Sequence, residues 1–434
     1  MPRCHLYHAP MLDLKFIKDH LEEVKQNVVN RKVDADPQKV ADLYDRRNQR
    51  IRELDAKRAE RNENARNMKG QMSQEERQAL IDQGKRLKQE IPRLEDELRD
   101  IEEELYTEAG KIPNMSHPEA PVGADEEDNR ELHRVGSIPS FSFSARDHVE
   151  IGEALDLMDF DTATKVSGTK FYYLRNEGAL LEMALTRFAM DRLAQQGYTL
   201  TVTPDIARTG IVSGIGFTPR GPESNIYALE GEDACLVGTA EITLGGYYAN
   251  EILPAEDLPV RLAGLSHCFR REAGAAGKFS KGLYRVHQFT KVEMFVFAAP
   301  EQSEELHREL LGIEEEIFQS LEIPYRVVDT CTGELGGPAY RKYDLEAWMP
   351  GRGEEGGWGE ITSASNCTDY QARRLSIRTK SQDGKQHVHM LNGTAIAVSR
   401  AIIALLENHQ QADGSVAIPE ALRPYTGFDA IRPK

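Results

Sequence analysis

Leu87, Ile91, Leu94, Leu98, Ile101 and Leu105 recur at spacings of 4, 3, 4, 3 and 4 residues. Such a heptad seam demands a long helix and a helical partner, because a bare apolar stripe would be left in water. Ser73 followed by Glu76 has the form of a capping box and marks where that helix starts. The partner precedes it. Asp36 before Pro37 reads as an N-cap with proline at the first helical position, and that helix can run to about Lys69. The break at residues 70–73 is short, so the two helices fold back as an antiparallel hairpin, roughly 45–50 Å long at 1.5 Å per residue. Pro92 is expected to bend the second helix. The first offers Val40, Leu43, Ile51 and Leu54 to the seam and almost nothing apolar beyond.

Charge along the hairpin is uneven. Residues 46–69 hold nine basic side chains (Arg46, Arg47, Arg50, Arg52, Lys57, Arg58, Arg61, Arg66, Lys69) against four acidic ones. Residues 90–104 hold eight acids against two arginines. Two readings fit: a solvated coiled coil, or an arm whose outer half contacts phosphates. A basic, apolar-poor stretch on an acidic protein favours the second, with Arg46, Arg50, Arg58 and Arg61 as contacts.

At 434 residues the chain is long enough for two or three domains. A net charge of −17 argues against indiscriminate nucleic-acid or membrane binding, though it permits a local basic patch. The five cysteines are scattered with no CxxC pair, which suggests a reducing compartment and neither a disulfide framework nor a zinc site. No apolar run reaches membrane-spanning length and the N-terminus lacks a signal-like core, so a soluble, cytoplasmic protein is expected. Residues 1–10 fit nothing that follows and read as an extension, poorly ordered or arising from an upstream start.

Beyond the hairpin, residues 115–129 (Pro118, Pro121, Gly123, then Asp125 to Asp128) read as a linker to a mixed α/β body. The pattern predicts a helix over 182–196, a strand over 198–204 and a strand-to-helix passage over 234–244. A helix over 303–321, with Ser303 as its cap, and a strand over 325–329 follow. Residues 351–359 read as a flexible glycine-rich loop. Residues 387–391 read as a strand broken at Asn392-Gly393, with a helix from Thr394 through Leu406. The stretch 268–297 reads as a strand, a glycine-rich loop and a second strand. Arg285, His287, Phe289, Lys291 and Glu293 share one face of that second strand; Val286, Thr290, Val292 and Met294 share the other. Arg270, Arg271 and Glu272 end the first strand. The loop carries Gly274, Gly277, Gly282 and two lysines, a composition suited to an anion. An ordinary sheet surface and an anionic-ligand site both remain open on these residues alone.

Taken together, several of these islands resemble the seryl-tRNA synthetase family of class II, of the bacterial and eukaryotic type. They are the two-helix arm, Thr239-Ala240-Glu241, Phe269-Arg270-Arg271-Glu272, the run Gly359-Glu360-Ile361-Thr362-Ser363-Ala364-Ser365-Asn366, and Leu391-Asn392-Gly393-Thr394 up to Arg400. The resemblance covers essentially residues 11–430. It implies an α+β fold: an antiparallel sheet flanked by helices, preceded by an N-terminal antiparallel coiled-coil arm. It divides the chain into an extension (1–10), a tRNA-binding arm (11–114), a linker (115–130) and a catalytic domain (131–434). Pro204 matches the end of the dimer-forming motif, which implies a homodimer.

The implied activity is serine–tRNA ligation: activation of L-serine with ATP, then transfer to the 3′-terminal adenosine of tRNA(Ser), and of tRNA(Sec) as well. Both reactants of the first step are anionic, so charge neutralisation and positioning carry the chemistry. By the resemblance, Arg270 bridges the serine carboxylate and the α-phosphate, for which a planar guanidinium is suited. Arg400 reaches the γ-phosphate and covers one face of the adenine, with Phe289 on the other. Arg271, Glu272, Val286, Ile361 and Thr362 complete the ATP site. Glu360 and Ser363 match ligands of Mg²⁺. Thr239 and Glu241 match positions that hold the amino group, and Glu293 and Thr394 those that read the serine hydroxyl, with Ala240 and Asn392 also in the serine site. No zinc is implied. The chain departs from the commoner pattern at Ala364, where cysteine is frequent, and at Lys278-Phe279-Ser280-Lys281, which leaves that loop's contacts open. A non-catalytic paralogue would be expected to lose the arginines or Glu293, which are present. A carrier-protein ligase with the same activation chemistry would lack the arm.

Overall fold

The computed structural model describes residues 12–217, 224–273, 280–381 and 384–434. The N-terminal extension and the loop residues Gly274, Gly277, Lys278 and Phe279 lie outside the described residues. The chain divides into two compact units, one ending at Pro113 and one beginning at Asn114.

The first unit opens with two short helices, Leu14–Asp19 and Leu21–Asn30, followed by α1 (Pro37–Asn67) and α2 (Gln74–Ala109). The local signals act as expected. Asp36 caps Lys39 N–H ahead of Pro37, and Ser73 and Glu76 form a reciprocal capping box. Leu54, Leu87 and Ile91 are buried together, with Leu94 and Leu98 half-buried against them. Where the seam runs out, Asn64 is buried and donates to Leu80 O at 3.0 Å and Gln83 Oε1 at 2.7 Å. A polar pair of this kind fixes register where apolar contacts are few. Helix α2 continues through Pro92, which sits on its exposed side.

The uneven charge also has an internal explanation. Antiparallel pairing sets the basic stretch of α1 against the acidic stretch of α2. Arg47 meets Glu102 at 2.8 Å, Arg50 meets Glu97 at 3.1 Å, Lys57 meets Glu90 at 3.0 Å and Arg58 meets Glu95 at 2.8 Å. Arg46, Arg52, Arg61, Arg66 and Lys69 are exposed and make no salt bridge among the described residues.

The second unit is built on one sheet of eight strands: β1 (Arg130–Val135), β2 (Thr199–Val202), β3 (Val260–Phe269), β4 (Gln288–Ala298), β5 (Tyr325–Asp329), β6 (Arg341–Met349), β7 (Gly357–Asn366) and β8 (His389–Ala397). Their spatial order is β1-β5-β6-β7-β8-β4-β3-β2, antiparallel throughout except for the parallel β2–β3 pair. Three main helices pack in the same unit, α4 (Asn176–Gln195), α5 (Ser303–Ser320) and α6 (Val398–Asn408), with the short α3 (His148–Ala154) beside α6. Alternation along β4 divides the core. Val292, Met294, Val296 and Ala298 join the helical side, while Phe295 and Phe297 pack with Val237, Leu244 and Met390 on the other. Among the described residues no helix is long and apolar enough to cross a membrane.

Several sequence expectations need correction. Strand β8 does not break at Asn392-Gly393: it runs from His389 to Ala397, with Asn392, Gly393 and Thr394 paired to Phe295, Met294 and Glu293. Asn-Gly favours a turn only where a chain can reverse, and here both neighbouring strands supply ladder partners. Gly393 serves packing instead, since a Cβ there would lie 3.0 Å from both Glu314 Oε1 and Met294 Cε. The following helix therefore begins at Val398, not Thr394. The last residues of the supposed glycine-rich loop belong to β7. Ser303 does not cap α5; Gln302 holds that position, and the serine hydroxyl donates to Pro300 O. Helix α4 starts at Asn176, ahead of the predicted boundary, and β3 begins at Val260, well before Cys268. The supposed linker over 115–129 is hydrogen-bonded along its length, for His117 N–H donates to Tyr340 O at 2.8 Å and Pro121 O accepts from Thr332 N–H at 2.9 Å.

Candidate active site

One end of β3, β4, β7 and β8 opens into a cleft whose lining includes Arg270, Tyr284, Phe289, Glu360, Ser399 and Arg400. Strand pairing explains the convergence. Cys268 and Phe289 are partners across β3–β4, Glu293 and Thr394 across β4–β8, and Asn392 and Ser365 across β8–β7.

The inner end of the cleft is small and charged. Lys291, Glu293 and Thr394 are all buried. Lys291 Nζ forms an ion pair with Glu293 and lies 3.5 Å from Thr394 Oγ1, which in turn donates to Glu293 Oε2 at 3.3 Å. Burial raises the Glu293 pKa, against the opposing pull of Lys291 and Arg270. Glu241 opens the short helix Glu241–Gly245, and its Oε1 accepts from Gln371 Nε2 at 2.8 Å and Asn392 Nδ2 at 3.1 Å. Burial, with the charge of Glu293 adding to it, pushes Glu241 up to about 7. The buried Thr239 hydroxyl accepts from Glu241 N–H at 3.2 Å. Ala240 is fully buried and brings only main chain. Two carboxylates, a lysine and a hydroxyl around a small space suit a ligand that carries an ammonium group and a hydroxyl.

The outer part of the cleft is cationic. Arg270 Nε donates to Gly238 O at 3.1 Å, and its guanidinium lies over the Phe289 ring, 5.3 Å from the centroid. Arg271 is exposed and is tied down by its N–H to Asn225 O. Glu272 adopts a φ of +49° and accepts from Arg285 Nη1 at 3.2 Å. Arg400 donates to Glu360 O at 2.8 Å, and its guanidinium stacks on Tyr284, 4.6 Å from the ring centroid. Phe289 thus faces Arg270, and Arg400 faces Tyr284. Glu360 is exposed at the rim of the cleft, and the partial desolvation there opposes its ionisation, but Arg400, Lys342, Arg270 and Arg285 outweigh it and hold its pKa below the ordinary value. Val286 and Ile361 are buried, and the Thr362 hydroxyl donates to Glu314 Oε2 at 2.8 Å, so its side chain serves the interior. Ser363 is paired with Asp344 across β6–β7, and Asp344 Oδ1 is buried without a hydrogen-bond partner among the described residues.

Of the residues expected in the serine and ATP sites, Arg270, Glu272, Val286, Phe289, Glu360, Ile361, Thr362, Thr394 and Arg400 line this cleft, Glu293 bonds to Thr394 at its inner end, and Glu241 is joined to Asn392 and Thr239. Sequence reading gave no role to Lys291, Gln371, Tyr284 or Asp344. Lys291 left a trace, as a lysine two residues from Glu293 on a strand bound for the core. The other three left none, because their neighbours come from distant segments.

Comparison with known proteins identifies the family. Residues 11–116 match the model of the seryl-tRNA synthetase N-terminal domain, and residues 227–409 match the tRNA synthetase class II core domain (G, H, P, S and T). The serine–tRNA ligase of Treponema denticola is 60% identical over 422 residues, covering 97% of this chain and 100% of that protein. That of Rubrobacter xylanophilus is 58% identical over 424 residues, covering 98% and 99%. The crystal structure of Pyrococcus horikoshii seryl-tRNA synthetase complexed with ATP superimposes with a TM-score of 0.90 at 41% identity, covering 98% of this chain and 100% of that one. On these matches the chain belongs to the seryl-tRNA synthetase family of class II aminoacyl-tRNA ligases.

Proposed function

We propose that this chain activates L-serine with ATP and transfers it to the 3′-terminal adenosine of tRNA(Ser), and of tRNA(Sec) as well. The observation that carries the reading is the buried Lys291–Glu293–Thr394 cluster beside Glu241. In the first step a serine carboxylate oxygen bonds to the α-phosphorus while the bond to the bridging oxygen breaks and pyrophosphate leaves. Arg270, at the junction of the two parts of the cleft, offsets the charge of both anions. Glu241 and Thr239 hold the ammonium group; Glu293 and Thr394, with Asn392 behind them, hold the hydroxyl. In the second step a hydroxyl of the terminal adenosine attacks the serine carbonyl carbon and AMP leaves.

For the nucleotide, Phe289 and Arg400 flank the base, Glu272 and the Val286 main chain meet its edge, and Arg271, Ile361 and Thr362 complete the wall. Mg²⁺ fits the outer site. Glu360 and Ser363 would hold it, and the orphaned Oδ1 of Asp344 adds a hard donor beside Ser363. When bound, the ion offsets the charge of the phosphates.

A second copy of the chain is the proposed partner for the face between α4 and β2, where Val202 is 79% and Met183 68% exposed. We assign residues 11–114 as the tRNA-binding arm, 115–130 as the link and 131–434 as the catalytic domain of a cytoplasmic homodimer. Serine-dependent ATP–pyrophosphate exchange tests the activity. Exchange with glycine or alanine but not serine would overturn it.

A further inference from the structure

Residues 280–287 lead into β4 and bring Tyr284 and Arg285 to the cleft. Their root is held from behind by the short helix α3 and by the far end of α6. His148, 1% exposed, is the first residue of α3. Leu283 N–H donates to His148 Nε2 at 3.2 Å. A main-chain amide can only donate, so Nε2 carries no proton and Nδ1–H is left to donate to Glu407 Oε1 at 2.8 Å. Glu407, on the last turns of α6, also accepts from His148 N–H at 3.0 Å and Gly351 N–H at 2.8 Å. Lys281 forms an ion pair with Asp147, the N-cap of α3. Gly282, at φ +56°, sits so close that a Cβ there would lie 2.2 Å from His148 Nε2. Next comes Tyr284, whose ring lies under the guanidinium groups of Arg400 at 4.6 Å and Arg352 at 5.0 Å. Helix α6 is therefore joined to this segment twice, directly through Arg400 near its start and by way of His148 through Glu407 about two turns later.

We propose that His148 is a positioning residue for the nucleotide: braced by Glu407, its Nε2 fixes Leu283 so that Tyr284 supports Arg400 and Arg285 meets Glu272. This rests on the reading of the outer cleft as the ATP site. It separates the two substrates, because Lys291, Glu293 and Thr394 bond to one another and not to the side of the cleft that residues 280–287 form.

Two replacements divide the imidazole. His148→Asn keeps a donor where Nδ1 stands but offers nothing at Nε2. His148→Gln reaches the Nε2 position with its amide oxygen but loses the donor to Glu407. In serine-dependent exchange, His148→Asn is expected to raise the KM for ATP at least tenfold and leave the KM for serine within twofold. His148→Gln should restore most of the ATP KM, and Lys281→Met, which removes an ammonium that reaches the buried Asp147 from the surface, should raise it a few-fold. Parallel losses for ATP and serine, or equal ATP losses in both His148 variants, would overturn the proposal. If His148→Asn does not fold, an ATP KM unchanged in Lys281→Met overturns it. A wild-type protein without serine-dependent exchange defeats the functional reading instead, and titration of serine-free wild type and Lys281→Met with ATP then decides the positioning role.

Discussion

Thr394 Oγ1 donates to Glu293 Oε2 at 3.3 Å across directly paired positions of β8 and β4. Both groups are buried, so a ligand without a hydroxyl leaves them imperfectly paired, and such groups discriminate far better than a hydrophobic wall. Thr394→Val is expected to lower kcat/KM for serine by about 10²-fold while leaving the trace activity with alanine unchanged. Exchange assays with the two amino acids compare them directly. An equal loss for both would assign Thr394 to structure.

Arg270 sits on Phe289 and faces both halves of the cleft. Removing one preorganised donor to developing charge typically costs about 10²–10³-fold in rate. Arg270→Ala should lose at least that much exchange activity with its far-ultraviolet spectrum intact. Near-normal turnover would refute the assigned role.

Glu241 titrates near 7 because burial and the charge of Glu293 disfavour its anion. Its folded value exceeds the ordinary 4.5, so the folded chain binds the extra proton between those values, and that stabilisation is lost as pH rises through about 7. An ammonium ligand needs the anion. The kcat/KM for serine should therefore climb between about pH 6 and 8, and Glu241→Gln should remove the inflection along with most of the activity. A flat profile in the parent protein would contradict the placement of the serine ammonium at Glu241.

Gly393 lies in a crowded part of the sheet, where a Cβ would come within 3.0 Å of both Glu314 and Met294. Gly393→Ala should destabilise the body by about 1–3 kcal/mol, the usual range for overpacking, measured as a lower midpoint in urea. No shift in midpoint would mean that Glu314 moves aside freely.

On the arm, Arg50 and Arg58 are engaged by Glu97 and Glu95, whereas Arg46, Arg52 and Arg61 are exposed without salt bridges among the described residues. Replacing the latter three with glutamine should raise the KM for tRNA by about tenfold or more, flatten its dependence on salt, and leave exchange untouched. Parallel loss of exchange would count against a separate tRNA-binding arm.

Legibility in the sequence followed the range of the forces involved. Asp36-Pro37, Ser73 with Glu76 and the alternation through Phe289, Lys291 and Glu293 act within a few residues and are readable as such. Asn392-Gly393 misled because its conformation is decided by β7 and β4, far away in sequence. Arg270 and Glu293 were legible through motif resemblance. His148 and Glu407, 259 positions apart, gave no local hint of meeting. The basic run of α1 was visible, but its partial neutralisation needed the register of the helix pair.

The strand order also has a consequence for how the enzyme is made. β8 is inserted between β7 and β4, so Glu293 meets Thr394 only after residue 394 is available. The arm needs contacts only within the first 113 residues and can form while the ribosome is still translating the body. Until β8 arrives, β4 and β7 each present an open edge on the nascent chain, a period of exposure to mispairing. A ribosome stalled before residue 389 would carry a finished arm and no serine pocket.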